Sequence, residues 1–117
     1  MPTRTLSRSL MIAIASAGLA LSLPVVAQEV DAEAAKLQFR QDGCGKCHHP
    51  SRSTMGPALR RIARDYKDAA NAEQDIIKFI TTPKKIKLED GSEEEHPVVD
   101  SKDPKVISNV ARWILSH

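Results

Sequence analysis

Residues 44–48 read Cys44-Gly45-Lys46-Cys47-His48: two thiols three residues apart, with an imidazole directly after the second. Four chemistries use cysteines spaced this way, and the surrounding sequence separates them. A thioredoxin-like dithiol needs a strand before the motif and a mixed α/β pattern after it, and neither is legible here. Zinc would require Cys44 and Cys47 with two of His48, His49, His96 and His117, but the later histidines lack the usual ligand spacing. A plain disulfide, ordinary in an exported domain, leaves His48 without a role. Covalent attachment of haem uses all three residues: the thiols add to the two vinyl groups on one porphyrin edge, and the adjoining imidazole takes the iron.

Outward from the motif, the chain reads as helices. Asp31 is placed to cap a helix running to about Gln41, with Ala34, Leu37 and Phe39 inward and Gly43 ending it. From Pro57, which suits a first helical position, Leu59, Ile62, Ala63 and Tyr66 recur at helical spacing. Asn71 followed by Gln74 predicts a capping box and a third helix with Ile76, Ile77 and Ile80, ended by Pro83. Asp103-Pro104 is a cap with a first-turn proline, followed by an apolar face of Val106, Ile107, Val110, Trp113 and Ile114. Alternating strand patterns are nearly absent. The expectation is an all-α domain of about four helices with two long irregular stretches, 43–56 and 83–102, both holding histidine. Long loops in a small domain are usually functional or disordered.

The N-terminal end reads as an export signal. Arg4 and Arg8 precede an apolar run from Leu10 to Leu23, then Pro24 and the small residues Val25-Val26-Ala27, so cleavage is expected after Ala27. The run is shorter than the about 20 apolar residues a membrane span needs, and no other segment qualifies. Removing residues 1–27 from the 117 leaves 90, one domain at 28–117. So short a chain with few aromatics builds a limited core and ordinarily needs a staple. Lysine plus arginine total 17 against 15 acidic residues, and Arg4 and Arg8 account for the excess. The remaining chain is near neutral and gives no electrostatic reason to expect nucleic acid. Charge is nonetheless segregated: Arg52, Arg60, Arg61, Arg64 and Lys67 are basic, while Glu89, Asp90 and Glu93 to Glu95 are acidic.

Taken together, these residues resemble the short bacterial class I cytochromes c. The likeness rests on Phe39 ahead of Gly43-Cys44, on C-x-x-C-H, on Gly56-Pro57-Ala58-Leu59, and on the closing Ala111-Arg112-Trp113-Ile114-Leu115-Ser116. The resemblance implies helices wrapped round one covalent haem c, with the first and last helices crossing near Phe39 and Trp113. It implies that Pro57 sits on the proximal side and that its carbonyl accepts a hydrogen bond from the ring of His48.

The distal side departs from that pattern. Family members usually carry a Met-Pro loop before the last helix, where this chain reads His96-Pro97-Val98-Val99. Met55, the single methionine outside residues 1–27, lies directly before Gly56-Pro57 and is expected to pack in the core. His96 is therefore the expected distal iron ligand, opposite His48. His49 is expected to be exposed or near a haem edge, and the terminal His117 to be frayed. A second imidazole in place of a thioether predicts a relatively low reduction potential.

The function so implied is periplasmic electron transfer with transient redox partner proteins, docking at a haem edge ringed by Lys46, Arg52 or Arg60. Two alternatives are a haem-based binder of small gases with a displaceable distal histidine, and the cytochrome subunit of a periplasmic redox enzyme. Catalysis by this chain alone is not expected, because no acid, nucleophile or second metal set accompanies an open site.

Overall fold

The computed structural model describes residues 28–88 and 90–117; the segment read as an export signal lies outside the described residues. Among them, four α-helices run in the order α1 (Ala32–Gln41), α2 (Leu59–Asp65), α3 (Ala72–Thr81) and α4 (Pro104–Leu115). A short 3-10 turn at Cys44–Lys46 follows α1, and a two-stranded antiparallel ribbon, β1 (Lys85–Lys87) and β2 (Glu93–Glu95), lies between α3 and α4.

Two caps form as their residues dictate. The Asp31 carboxylate accepts the Ala34 N–H, and the Asp103 carboxylate accepts the Lys105 N–H with Pro104 in the first turn. Asn71 does begin α3, but its side chain makes no capping bond. Its backbone (φ −115°, ψ 29°) is not the extended conformation that aims a cap side chain at the helix, so the capping box does not form.

Helix α4 is the hub. It packs against α1, α2 and α3, and its Val110, Ala111, Trp113 and Ile114 are buried. At the crossing with α1, Phe39 meets Trp113 edge to face at 5.2 Å. That geometry adds about 0.5–1.5 kcal/mol to simple burial. Ala35, not Ala34, is the small residue of α1 that faces the core, and Leu37 is 50% exposed. The inward stripe therefore runs Ala35–Phe39 at i, i+4. Asn109 of α4 ties the start of α1 reciprocally: it accepts the Asp31 N–H at 2.9 Å and donates to the Asp31 carbonyl at 2.8 Å.

The ribbon is the element that sequence patterning missed. Lys85 stands opposite Glu95, Ile86 opposite Glu94 and Lys87 opposite Glu93. Opposite charges across an antiparallel pair stabilise it by about 0.2–1 kcal/mol each. Apolar alternation is absent because every side chain of the ribbon except Ile86 is charged, and the signal lies in complementary sign instead. The fold remains all-α with this one small addition.

Candidate functional site

A cavity of about 770 Å³ opens between the helices, the 44–56 loop and the ribbon. Cofactor pockets usually measure about 300–1,000 Å³, so this one is of ordinary size for that purpose. Its walls are largely apolar, with Phe39, Leu59, Ile76, Ile80, Val110 and Ile114 among them. Cys44, Cys47, His48, Pro57 and His96 all line it. The chemical residues thus converge on one cavity within a core that looked too small from sequence.

The cysteine turn is set by α1. Gly43 has a φ of 75°. This left-handed conformation ends a helix cheaply only in glycine, and it turns the chain into the 3-10 turn. There the Cys47 and His48 N–H groups donate to the Cys44 carbonyl at 3.2 and 3.1 Å. The following loop is pinned back onto the motif. The Cys47 carbonyl accepts from the Gly56 N–H at 2.9 Å and from the Thr54 hydroxyl at 2.5 Å. His48 Nδ1 donates to the Pro57 carbonyl at 2.7 Å, which fixes the tautomer and leaves Nε2 with its lone pair free. Burial, and next the Asp42 carboxylate, push the Cys44 thiol up to about 11. A redox-active dithiol needs the opposite shift, so this environment argues against the thioredoxin-like reading.

His96 enters from the other side. Its N–H donates to the Lys84 carbonyl at 2.8 Å, one rung beyond the ribbon, and three residues later the Val99 N–H donates to the Ile80 carbonyl at 2.8 Å. Both flanks of the histidine are thereby moored to the end of α3 and the start of β1. Nδ1 of His96 is buried and has no hydrogen-bond partner. Burial, and next the facing His48, lower the affinity of the His96 ring for a proton. That favours the neutral form, which is the one able to ligate a metal.

The His48 and His96 ring centres lie 6.1 Å apart across the cavity. A nitrogen donor sits about 2 Å from a metal, so each ring centre stands about 3 Å from it, and two rings on one ion stand about 6 Å apart. The donor set, the spacing and the apolar hollow therefore fit a haem held between these histidines beside Cys44 and Cys47.

Other residues fall elsewhere than expected. Met55 is 52% exposed at the rim of the cavity, not core packing, because the Gly56–Cys47 bond holds its backbone at the loop's outer edge. His117 is not frayed: its ring packs edge to face on Trp113 at 4.7 Å and bonds the Trp113 carbonyl at 2.9 Å. His49 Nδ1 accepts the Ser51 N–H at 3.1 Å. Of the basic residues, Lys46, Arg61 and Lys87 line the cavity, whereas Arg60 faces a separate shallow depression with Arg64 and Lys67. Sequence reasoning overlooked Phe79, which lines the cavity and meets His96 edge to face at 4.9 Å. Its position three residues after Ile76 and one before Ile80 was the available signal.

No model of a protein family matches the chain, and no curated protein matches it. Solved structures do. The chain is similar to the class 1 cytochrome MtoD from Sideroxydans lithotrophicus ES-1, with 39% identity and a TM-score of 0.71 over 75% of this chain and 97% of that one. It shares its fold with wild-type Nitrosomonas europaea cytochrome c552 (22% identity, TM-score 0.55, covering 69% of this chain and 96% of that one). A deletion mutant of the same cytochrome gives 23% identity and a TM-score of 0.56 over the same shares.

Proposed function

The chain belongs to the class I cytochromes c, and from that premise we propose that it is an exported one-electron carrier whose iron is held by His48 and His96. One covalent haem c is the family's cofactor, and when bound it supplies a one-electron couple that requires no substrate and no open coordination position. Cys44 and Cys47 are the thioether positions, and His48 is the proximal ligand. The Pro57 carbonyl, accepting the hydrogen bond from Nδ1–H, orients the His48 ring and raises its donor strength. The observation that carries the reading is the pair of imidazoles facing each other at 6.1 Å across an apolar hollow.

His96 in place of a thioether favours ferric iron and lowers the potential. Glu94 and Glu95, which also line the cavity, push in the same direction. Export follows from residues 1–27, which are read as a cleaved signal that delivers residues 28–117 to the periplasm. No helix among the described residues is long and apolar enough to cross a membrane. Partners are redox proteins met transiently at the cavity mouth, where Lys46, away from the paired Arg61 and Asp65, is a charge that can steer encounter.

A binder of small gases is the second reading, favoured by the absence of a hydrogen bond to His96 Nδ1. The two moorings that flank His96 weigh for the shuttle, because they hold its backbone beside the cavity. Electron paramagnetic resonance and near-infrared magnetic circular dichroism of the oxidised protein decide the ligands. Two imidazoles are expected, with a thioether band and a higher potential gained only in His96→Met. A thioether signature in the parent protein, or a His96→Met variant identical to it, overturns the assignment.

A further inference from the structure

His48 and His96 are held in different ways. His48 is fixed by a hydrogen bond from Nδ1 to the Pro57 carbonyl, whereas Nδ1 of His96 is buried without a partner. A ligating imidazole is ordinarily oriented by the bond its second nitrogen makes, so something else must set the rotation of the His96 ring. Phe79 supplies a contact of the right kind. Its ring meets His96 edge to face, with centroids 4.9 Å apart and planes inclined at 79°. Aromatic pairs prefer this arrangement. Phe79 is itself constrained, since Ile76 and Ile80 on the same face of α3 are buried and Lys84 Nζ lies 4.2 Å over its ring. Lys84 thus acts twice: its carbonyl takes the His96 N–H, and its ammonium covers the aromatic ring that abuts the His96 side chain.

We propose that Phe79 is the positioning residue of the distal ligand, fixing the plane of the His96 imidazole and holding it in the cavity by aromatic packing where a hydrogen bond is missing. The inference rests on the two-histidine reading. Because no hydrogen bond at Nδ1 fixes the ring, shortening Phe79 frees it to rotate and to leave.

The test uses the intact holoprotein with Phe79→Leu and Phe79→Tyr, each checked for unchanged far-ultraviolet circular dichroism. In Phe79→Leu the low-spin g-anisotropy, which reports the angle between the two ring planes, is expected to shift. Carbon monoxide should bind the ferrous form about two- to tenfold faster, the population change that one edge-to-face contact is worth. Phe79→Tyr, which keeps the ring, should restore both. A Phe79→Leu spectrum and carbon monoxide rate equal to the parent's, in a protein that shows two imidazoles, overturn the positioning role alone. A parent spectrum without two imidazoles overturns the ligand assignment and this inference with it.

Discussion

Gly56 is the tightest point of the proximal wall, and replacing it with alanine measures how rigidly His48 is held. A Cβ there would stand 2.8 Å from His48 Cε1, 3.1 Å from His48 Nδ1 and 3.2 Å from the Cys47 carbonyl. None of these can move cheaply. The ring is tied to Pro57 at 2.7 Å, and the Cys47 carbonyl already accepts the Gly56 N–H. Overpacking of this kind costs about 1–3 kcal/mol, and pushing the ring off Pro57 adds about 0.5–1.5 kcal/mol. The narrower denatured ensemble of alanine returns about 0.4–1 kcal/mol. The net is about 1–4 kcal/mol of lost stability, which in a domain this small lowers the melting temperature by roughly 4–30 °C. If the ring gives way, the weakened Pro57 bond also makes the imidazole a poorer donor, so the reduction potential rises. Gly91→Ala is the control. Its Cβ position is open, with nothing within 4 Å. Its φ of 85° is nonetheless left-handed. Any side chain there costs about 1–2 kcal/mol. That variant should lose stability and keep its potential. Thermal melts and redox titrations of both holoproteins check the pair. A Gly56→Ala protein with the parent's melting point and potential refutes the claim that His48 is held without slack.

Two further outcomes follow from contacts far from the cavity. Asn109→Ala removes both bonds to Asp31. It should cost about 1–3 kcal/mol, with faster amide exchange confined to the first turn of α1. The Ser92 hydroxyl, and next its N–H, donate to the Asp90 carboxylate and hold it below its ordinary range. Because the folded value is depressed, that contribution to the ribbon turn is present at neutral pH and lost as pH falls through the folded value. In Ser92→Ala the Asp90 titration, followed by nuclear magnetic resonance, should move back towards ordinary aspartate.

The sequence announced most of this molecule where one residue type admits one physical role. Asp31 and Asp103-Pro104 fixed two helix starts, and Phe39 and Trp113 marked the crossing of α1 and α4. The cysteine pair and the imidazoles converge on one cavity as their chemistry requires. Failures came at Leu37, Met55 and Phe79. With Phe39 inward, helical spacing places Ala35 on the same face and Leu37 nearly opposite, and weighing hydrophobicity over spacing puts Leu37 inward. Methionine is usually core, yet Met55 lines the rim of the cavity instead of joining the buried residues between the helices. Helical spacing marked Phe79 as facing the core, but its role beside His96 was not legible, because His96 approaches from far along the chain through a ribbon with no hydrophobic pattern.

That ribbon sets a run of glutamates against Lys85 and Lys87. Sliding the strands by one position would still leave a lysine facing a glutamate, so charge draws them together with little say over alignment. The choice is left to the tight reversal closed by the Leu88–Ser92 and Gly91–Leu88 bonds, and to the Lys84 carbonyl that receives the His96 N–H. Since neighbouring side chains on an extended strand point to opposite faces, one residue inserted in that reversal would keep much of the attraction and turn the imidazole out to water. The proposed pairing of His96 with His48 therefore rests on the length of a reversal to which neither histidine belongs.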